Sequence, residues 1–312
     1  MNMKIITVIC PVYNEQQNIK LFFKKIIPIK KKIKNLNILF INDGSTDKSL
    51  MFIKEIHKKN KNVEFISFNK NYGHQNAILA GLENTDSHYY IVMDTDLQHD
   101  PKFLPKMIKT IVDTKSDLVQ MKKDETKYEN IFKSFLSKRF YSFFRKLVNI
   151  EIENGSSDFY IINKSLRNKV VNSKFGNNFL RGLIHWLSIK KKYISYSPQK
   201  RNAGVSKYNF TKQTLFGLTG VVNFFSQFYF TLFMIAIFLS IIGLGYIFYI
   251  VYDFFQNGIS VDGWNTIIIL ILLFGIIQIL ISSIQIYTLN RIYNFVGNKP
   301  NYVISELKKT KK

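Results

Sequence analysis

Asp94 and Asp96 are one residue apart, in the run Asp94-Thr95-Asp96-Leu97-Gln98 that follows an apolar stretch. In extended backbone alternate side chains face the same way, so both carboxylates can address one site. Two carboxylates beside a phosphate suit Mg²⁺ or Mn²⁺, which takes few protein ligands and completes its shell with phosphate oxygens and water. Gln98 can add a ligand or a hydrogen bond to the phosphate. Glu15 and Asp43 close two other apolar stretches, in Pro11-Val12-Tyr13-Asn14-Glu15 and Asn42-Asp43-Gly44-Ser45-Thr46-Asp47. Neither sits in a metal motif, and both suit hydrogen bonds to a base or ribose. A fourth polar cluster is Asn69-Lys70-Asn71-Tyr72-Gly73. The chain has no Walker A lysine motif and no G-x-G-x-x-G, which excludes P-loop and dinucleotide-binding readings.

These clusters recur where strands should end. Residues 5–10, 36–41, 63–68, 89–93 and 118–121 are short apolar runs of the kind buried on both faces of a sheet. Between them, 15–27, 46–59, 74–82 and 102–112 carry apolar residues at helical spacing. A long helix is predicted over 128–148, and later strands over 159–162 and 193–197. Repeated βα units imply a mostly parallel sheet with right-handed crossovers. Such sheets bind ligands at the carboxyl ends of their strands. One cluster alone is readable as a helix cap or turn; four in phase at strand ends are not.

The chain has 312 residues and a formal charge of +23. Its 46% hydrophobic content excludes a disordered chain. The single cysteine, Cys10, excludes a disulfide framework and a Cys-rich zinc site. No nucleic-acid-binding motif accompanies the basic charge, so an anionic membrane face and phosphorylated substrates account for it better.

The apolar residues concentrate late in the chain. Residues 228–252 and 266–289 carry no charge and, at about 1.5 Å per residue, each exceeds a hydrocarbon core of roughly 30 Å. The loop between them holds Asp253 and Asp262 without Lys or Arg, whereas the outer flanks are basic. The positive-inside rule then puts the loop outside and both flanks in the cytoplasm. The organisation expected is a cytoplasmic catalytic domain over 1–203, a juxtamembrane amphipathic segment over 204–227, a two-helix transmembrane hairpin over 228–290, and a basic cytoplasmic tail over 291–312. The expected location is the inner (cytoplasmic) membrane, multi-pass.

The succession CPVYNE, NDGSTD, NYGHQNAILAGL and DTDLQHDP resembles family 2 glycosyltransferases with the Rossmann-like GT-A fold. SSDFYIIN, FLRGLIHWL and QKRNAGVSKYN look like the polyprenyl-phosphate hexosyltransferase branch, whose members include dolichol-phosphate mannose synthase and the bacterial undecaprenyl-phosphate glucosyltransferases. The resemblance implies a nucleotide-sugar donor, a UDP- or GDP-hexose, held by Pro11, Val12, Tyr13, Glu15, Asp43 and Lys70. It implies that Asp94, Asp96 and Gln98 bind the metal and diphosphate. Lys122 and Lys123 stand where the branch has an arginine, and either of them can take its phosphate contact. Lys133 and Ser137, four apart and on one face of the predicted helix, match phosphate-contacting positions, as does Arg201.

The resemblance implies that Asp158 is the acceptor-side acid, with a general-base role as one reading. A phosphate monoester is already largely anionic at pH 7, with a second pKa near 6, so Asp158 reads better as an orienting group or partner of a cation than as a general base. The implied reaction is an inverting transfer of a hexose, with UDP-glucose as donor, to polyprenyl phosphate. GDP-mannose, an aminoarabinose-type sugar and a polysaccharide-extending transferase are the enzymatic alternatives. A membrane scaffold with a degenerate transferase fold is the non-enzymatic one. A homo-oligomer is compatible with all of these.

Overall fold

The computed structural model describes residues 5–123, 155–173, 180–197 and 300–309, together with scattered positions between 241 and 292. The predicted helix over 128–148, with Lys133 and Ser137, lies outside the described residues, as do Arg201 and the segment 204–227. The chain divides into two compact units: Met1–Phe224 with Asn301–Lys312, and Phe225–Pro300.

The first unit is built on one eight-stranded sheet. In chain order its described elements are β1 (Ile6–Val12), α1 (Ile19–Lys32), β2 (Leu36–Asn42), α2 (Ser49–Lys59), β3 (Val63–Phe68), α3 (His74–Glu83), β4 (Tyr89–Val92), α4 (Leu104–Thr114), β5 (Leu118–Lys123), β6 (Ser156–Asn163), α5 (Lys164–Asn172), α6 (Leu180–Leu187), β7 (Lys191–Tyr196) and β8 (Ile304–Lys308). The strand order is β7-β5-β6-β4-β1-β2-β3-β8. β1 pairs in parallel with β2 and β4, β2 with β3, and β5 with β7. The pairs β4–β6, β5–β6 and β3–β8 are antiparallel. The sheet is therefore mixed, where repeated βα units predict a mostly parallel one. β6 enters between β4 and β5 against their direction, and β8 comes from residues expected to form a basic tail.

Strand periodicity sorts the core into two layers. Ile6, Val8, Cys10 and Val12 of β1 face one cluster with Phe22 and Ile26 of α1, Ile53 of α2 and Met107 and Ile111 of α4. Ile9 faces the other, with Ile78 and Leu82 of α3, Leu166 of α5 and Leu183 of α6. Each fully buried aliphatic side chain contributes on the order of 1.5–3 kcal/mol. At Gly81 on α3, a Cβ would stand 2.4 Å from Ile9 Cγ2, so the helix lies closer to β1 than any larger residue allows.

Among the described residues no helix is long and apolar enough to cross a membrane. This corrects the expectation of two C-terminal transmembrane helices and, with it, that of a multi-pass protein of the inner membrane. A span needs about 20 apolar residues in unbroken helix. Hydropathy records the apolar residues and says nothing of helical continuity.

Candidate functional site

β1, β2, β3 and β4 run parallel and deliver the loops that follow them to one edge of the sheet. β6 runs against β4, so its first residues return to that same edge. The register pairs Val92 with Tyr160; two steps further along, Asp94 falls across from Asp158. Residues far apart in sequence are thus brought opposite each other by one antiparallel strand.

Beyond β4, Asp94, Asp96 and Gln98 are partly open, whereas Thr95, Leu97 and His99 are only 1%, 3% and 2% exposed. The three polar residues thus alternate with buried ones, in a turn and not in the extended backbone that the spacing argument assumes. Leu97 sits at φ +67°, a left-handed conformation that non-glycine residues adopt rarely and that persists where burial over-determines it. The turn is closed by the Gln98 amide, which donates to Asp96 Oδ1 at 3.1 Å. Beneath it, the His99 ring stacks on Phe159 with centroids 4.8 Å apart. Burial and the nearby Lys123 push the His99 imidazole down to about 3, so it is neutral and Nδ1 accepts the Asp94 amide at 3.2 Å.

Asp158 is held from two sides. Arg181, near the start of α6, donates from Nε to Oδ1 at 2.9 Å, and its Nη2 lies 2.7 Å from Oδ2. His74, the first residue of α3, places Nε2 3.3 Å from Asp158 Oδ2 and 3.6 Å from Asp94 Oδ1. Burial opposes ionisation of Asp158, but Arg181 and His74 overcome it and hold the carboxyl well below its usual range. Burial likewise opposes the charge on His74, and the two carboxylates outweigh it, raising the imidazole to about 9. Asp94 goes the other way. Burial pushes it up to about 7, with Asp96 and Asp158 adding repulsion and His74 and Lys123 only partly offsetting it. Of the two candidate lysines, Lys123 is the one whose charge acts on Asp94 and His99. Lys122 pairs with Ser156 across the β5–β6 ladder.

Among the described residues no group of three or more His, Cys, Asp and Glu side chains is arranged to hold a metal alone. The donor set still fits Mg²⁺ or Mn²⁺ in its usual setting, where one or two carboxylates combine with phosphate oxygens and water.

The opposite part of the edge is laced by its own loops. Asn14 Oδ1 accepts from Thr46 N at 2.8 Å, and Glu15 N donates to Ser49 Oγ at 2.9 Å. Glu15 Oε2 accepts from Asn18 Nδ2 at 2.6 Å. Asp43 is buried and receives Tyr72 N at 2.7 Å, Gly73 N at 3.0 Å and Asn71 Nδ2 at 3.0 Å. Its carboxylate therefore clamps the loop 69–73 against the end of β2. Gly44 makes this approach feasible: at φ +63°, its missing Cβ would stand 2.2 Å from the Lys70 carbonyl carbon. Lys70 Nζ lies 5.4 Å from the centre of the Tyr72 ring. Pro11 and Val12 are buried in β1, and their carbonyls accept from Thr95 Oγ1 at 3.5 Å and Asp43 N at 2.8 Å. Tyr13 follows, partly exposed.

His74, His99 and Arg181 carry no role in the sequence reading, although each lies inside a motif it quotes. His74 stands four residues after Lys70 in NYGHQNAILAGL, His99 directly after Gln98, and Arg181 in FLRGLIHWL. That adjacency was the available signal; the contacts themselves join residues 20 and 84 positions apart (His74–Asp94 and His74–Asp158).

Comparison with known proteins agrees with this geometry. The family description "Glycosyl transferase family 2" matches residues 7–174. The putative glycosyltransferase CsbB of Bacillus subtilis (strain 168) is 34% identical over 98% of this chain and 93% of its own length. The SfII prophage-derived bactoprenol glucosyl transferase of Shigella flexneri is 27% identical over 96% of this chain and 97% of its own. Among solved structures, glucosyl-3-phosphoglycerate synthase from Mycobacterium tuberculosis, in complex with Mn²⁺, UDP-glucose and phosphoglyceric acid, superposes with a TM-score of 0.51 at 15% identity. It covers 70% of this chain and 78% of that one, a likeness of GT-A fold. With strand-end acids on a sheet of that fold, and a full-length relative one-third identical, the chain belongs to glycosyl transferase family 2 and is a sugar-transferring enzyme.

Proposed function

We propose that the protein transfers a hexosyl group from a nucleotide sugar to the phosphate of a polyprenyl phosphate, with inversion at the anomeric carbon. One observation carries the proposal. Asp94, on the open side of the β4 turn with Asp96, shares the His74 imidazole with Asp158, which Arg181 also holds. One side of the site is built for a donor diphosphate and the other for an acceptor. The lipid acceptor is supported by the full-length match to relatives named bactoprenol glucosyl transferase. Glucose is the sugar in those names, and UDP-glucose is the donor we assign, with GDP-mannose as the alternative to test.

Asp94 and Asp96, with Gln98, would hold a divalent cation, which when bound stabilises negative charge on the departing nucleoside diphosphate. The residues of the chain do the rest. The loops around Asn14, Asp43 and Tyr72 form the nucleotide cradle. The acceptor oxygen is already anionic at neutral pH, so its attack on the anomeric carbon requires no proton removal. The new C–O bond forms as the bond to the nucleoside diphosphate breaks. Asp158, kept ionised by its two cationic partners, orients the acceptor side and does not serve as a base. Lys123, beside Asp94, offsets repulsion between the two anionic substrates. Lys122, Lys133, Ser137 and Arg201 are assigned to the acceptor phosphate from their positions in the family pattern.

The test is a transfer assay with polyprenyl phosphate, Mg²⁺ or Mn²⁺, and UDP-glucose or GDP-mannose. A polyprenyl phosphohexose whose anomeric configuration is opposite to the donor's supports the proposal. Sugar release to water alone, or a growing saccharide with no lipid product, contradicts it.

A further inference from the structure

We infer that the C-terminal strand is part of the donor site, with Tyr302 as a positioning residue that braces the loop carrying Tyr72 and Gly73. This rests on the donor-site reading given above and adds to it an element from the far end of the chain.

β8 pairs antiparallel with β3, with Ser67 opposite Glu306 and Phe68 opposite Ile304. Covering an exposed strand edge would explain that pairing by itself. It does not explain what happens just before β8. There the Tyr302 ring stacks on Phe68, the last residue of β3, with centroids 4.9 Å apart and planes at 18°. Phe68 in turn meets the Tyr72 ring edge-on at 5.7 Å. The three rings form a continuous row from the C-terminal segment to the donor loop. The other end of Tyr302 is fixed as well. Its hydroxyl donates to the Glu83 carboxylate and accepts from Asn84 Nδ2 at 3.3 Å, at the C-terminal end of α3.

Tyr302 therefore ties the exit of β3 to the end of α3, and the chain between those two points is the loop 69–73 followed by α3. That loop's amides at Tyr72 and Gly73 are the ones Asp43 receives, and the next residue is His74. Two further bonds follow the same path. Asn69 N donates to the Val303 carbonyl at 3.3 Å. Ser305 Oγ donates to the Ser67 carbonyl at 3.0 Å, and Ser67 Oγ accepts Asn42 Nδ2 at 2.9 Å, next to Asp43. An ion pair between Lys54 and Glu306, at 2.5 Å, fastens the strand to α2. A strand that only covered an edge would not need an aromatic row leading into a loop.

The experiment uses the full-length chain with Tyr302→Ala, Tyr302→Phe and, as a control at the far end of β8, Lys308→Ala. Amide hydrogen exchange is read at Tyr72 and Gly73, and at Ile161 and Ile162 in the middle of the sheet. Tyr302→Ala should speed exchange at Tyr72 and Gly73 about tenfold or more while the β6 amides stay within about twofold. Tyr302→Phe keeps the ring row and loses the Glu83 bond, so its effect should be smaller. In the transfer assay the donor KM of Tyr302→Ala should rise about tenfold with kcat within about threefold. Equal acceleration across the sheet would show a general stabilising role and overturn the inference; unchanged exchange in the loop would do so too. If Tyr302→Ala does not fold, loop exchange in Tyr302→Phe indistinguishable from wild type overturns it. A wild-type protein inactive with every donor would contradict the proposed function, and the exchange result would still decide the brace.

Discussion

Arg181 grips Asp158 with both arms of its guanidinium, at 2.9 and 2.7 Å. The pair spans 23 residues and lies on the side of the site proposed to take the acceptor. Fork-to-carboxylate geometry gives direction as well as charge, and an ammonium cannot reproduce it. Removing one partner of a buried pair costs about 3–5 kcal/mol where the other charge is left unpaired, and here His74 still lies 3.3 Å from Asp158. Arg181→Ala should therefore lower Tm by no more than roughly 6–20 °C, at about 2–4 °C per kcal/mol. Arg181→Lys should recover much of that stability yet transfer sugar at least about tenfold more slowly, because Asp158 loses its orientation. Thermal melts and initial rates on both variants check this; an Arg181→Lys enzyme with wild-type rates would show that the fork is dispensable.

Gly44 lets the β2 and β3 loops touch. Gly44→Ala forces a side chain into left-handed backbone and a Cβ to 2.2 Å from the Lys70 carbonyl carbon. Backbone strain alone costs on the order of 1–3 kcal/mol, and the loop 69–73 must retreat from Asp43. The donor KM should rise more than about tenfold while the response to polyprenyl phosphate is unchanged. Steady-state kinetics in both substrates would reveal the opposite pattern if the loop had no part in donor binding.

Asp117 offers a pH test remote from the site. Burial would raise its carboxyl, but the Lys190 amide, Asn163 Nδ2 and the Ile189 amide outweigh it and hold the carboxyl below its usual value. These bonds, of 3.0–3.1 Å, join the start of β5 to the end of β6 and the approach to β7. A depressed folded pKa contributes stability above the unfolded value of about 3.9, and loses it as pH falls through the folded value. Asp117→Asn should melt below wild type at neutral pH, and the gap should close below about pH 4. A gap constant across that range would show that the carboxylate charge is not what matters.

Much of the central sheet was legible because buried parallel strands read as apolar runs; residues 63–68 are strand from end to end, as predicted. The start of α1 was not. It begins at Ile19 instead of Glu15, because Asn14, Glu15 and Gln16 are tied to the loop 45–49 by bonds the periodicity cannot show. It also runs past Pro28 to Lys32, held by Ile29 and Ile33 against the core. β8 is five residues in a lysine-rich stretch, and only its partner β3 makes it a strand. The direction of β6 left no local signal, yet it brings Asp158 to Asp94. The acids of the site were visible from their types and spacing. Their cationic partners, His74 and Arg181, were not, because long-range contacts select them.

The central claim is that the β4 turn holds the donor diphosphate through Asp94 and Asp96. The most direct measurement is sugar transfer to polyprenyl phosphate by Asp96→Ala, beside the wild type with Mn²⁺ and with excess EDTA. Loss of a metal-ligating carboxylate withdraws several kcal/mol of leaving-group stabilisation. The variant should remain folded by thermal melt and lose at least about a hundredfold in rate, and EDTA should silence the wild type. An Asp96→Ala enzyme within about threefold of wild type, with EDTA harmless, would contradict the account.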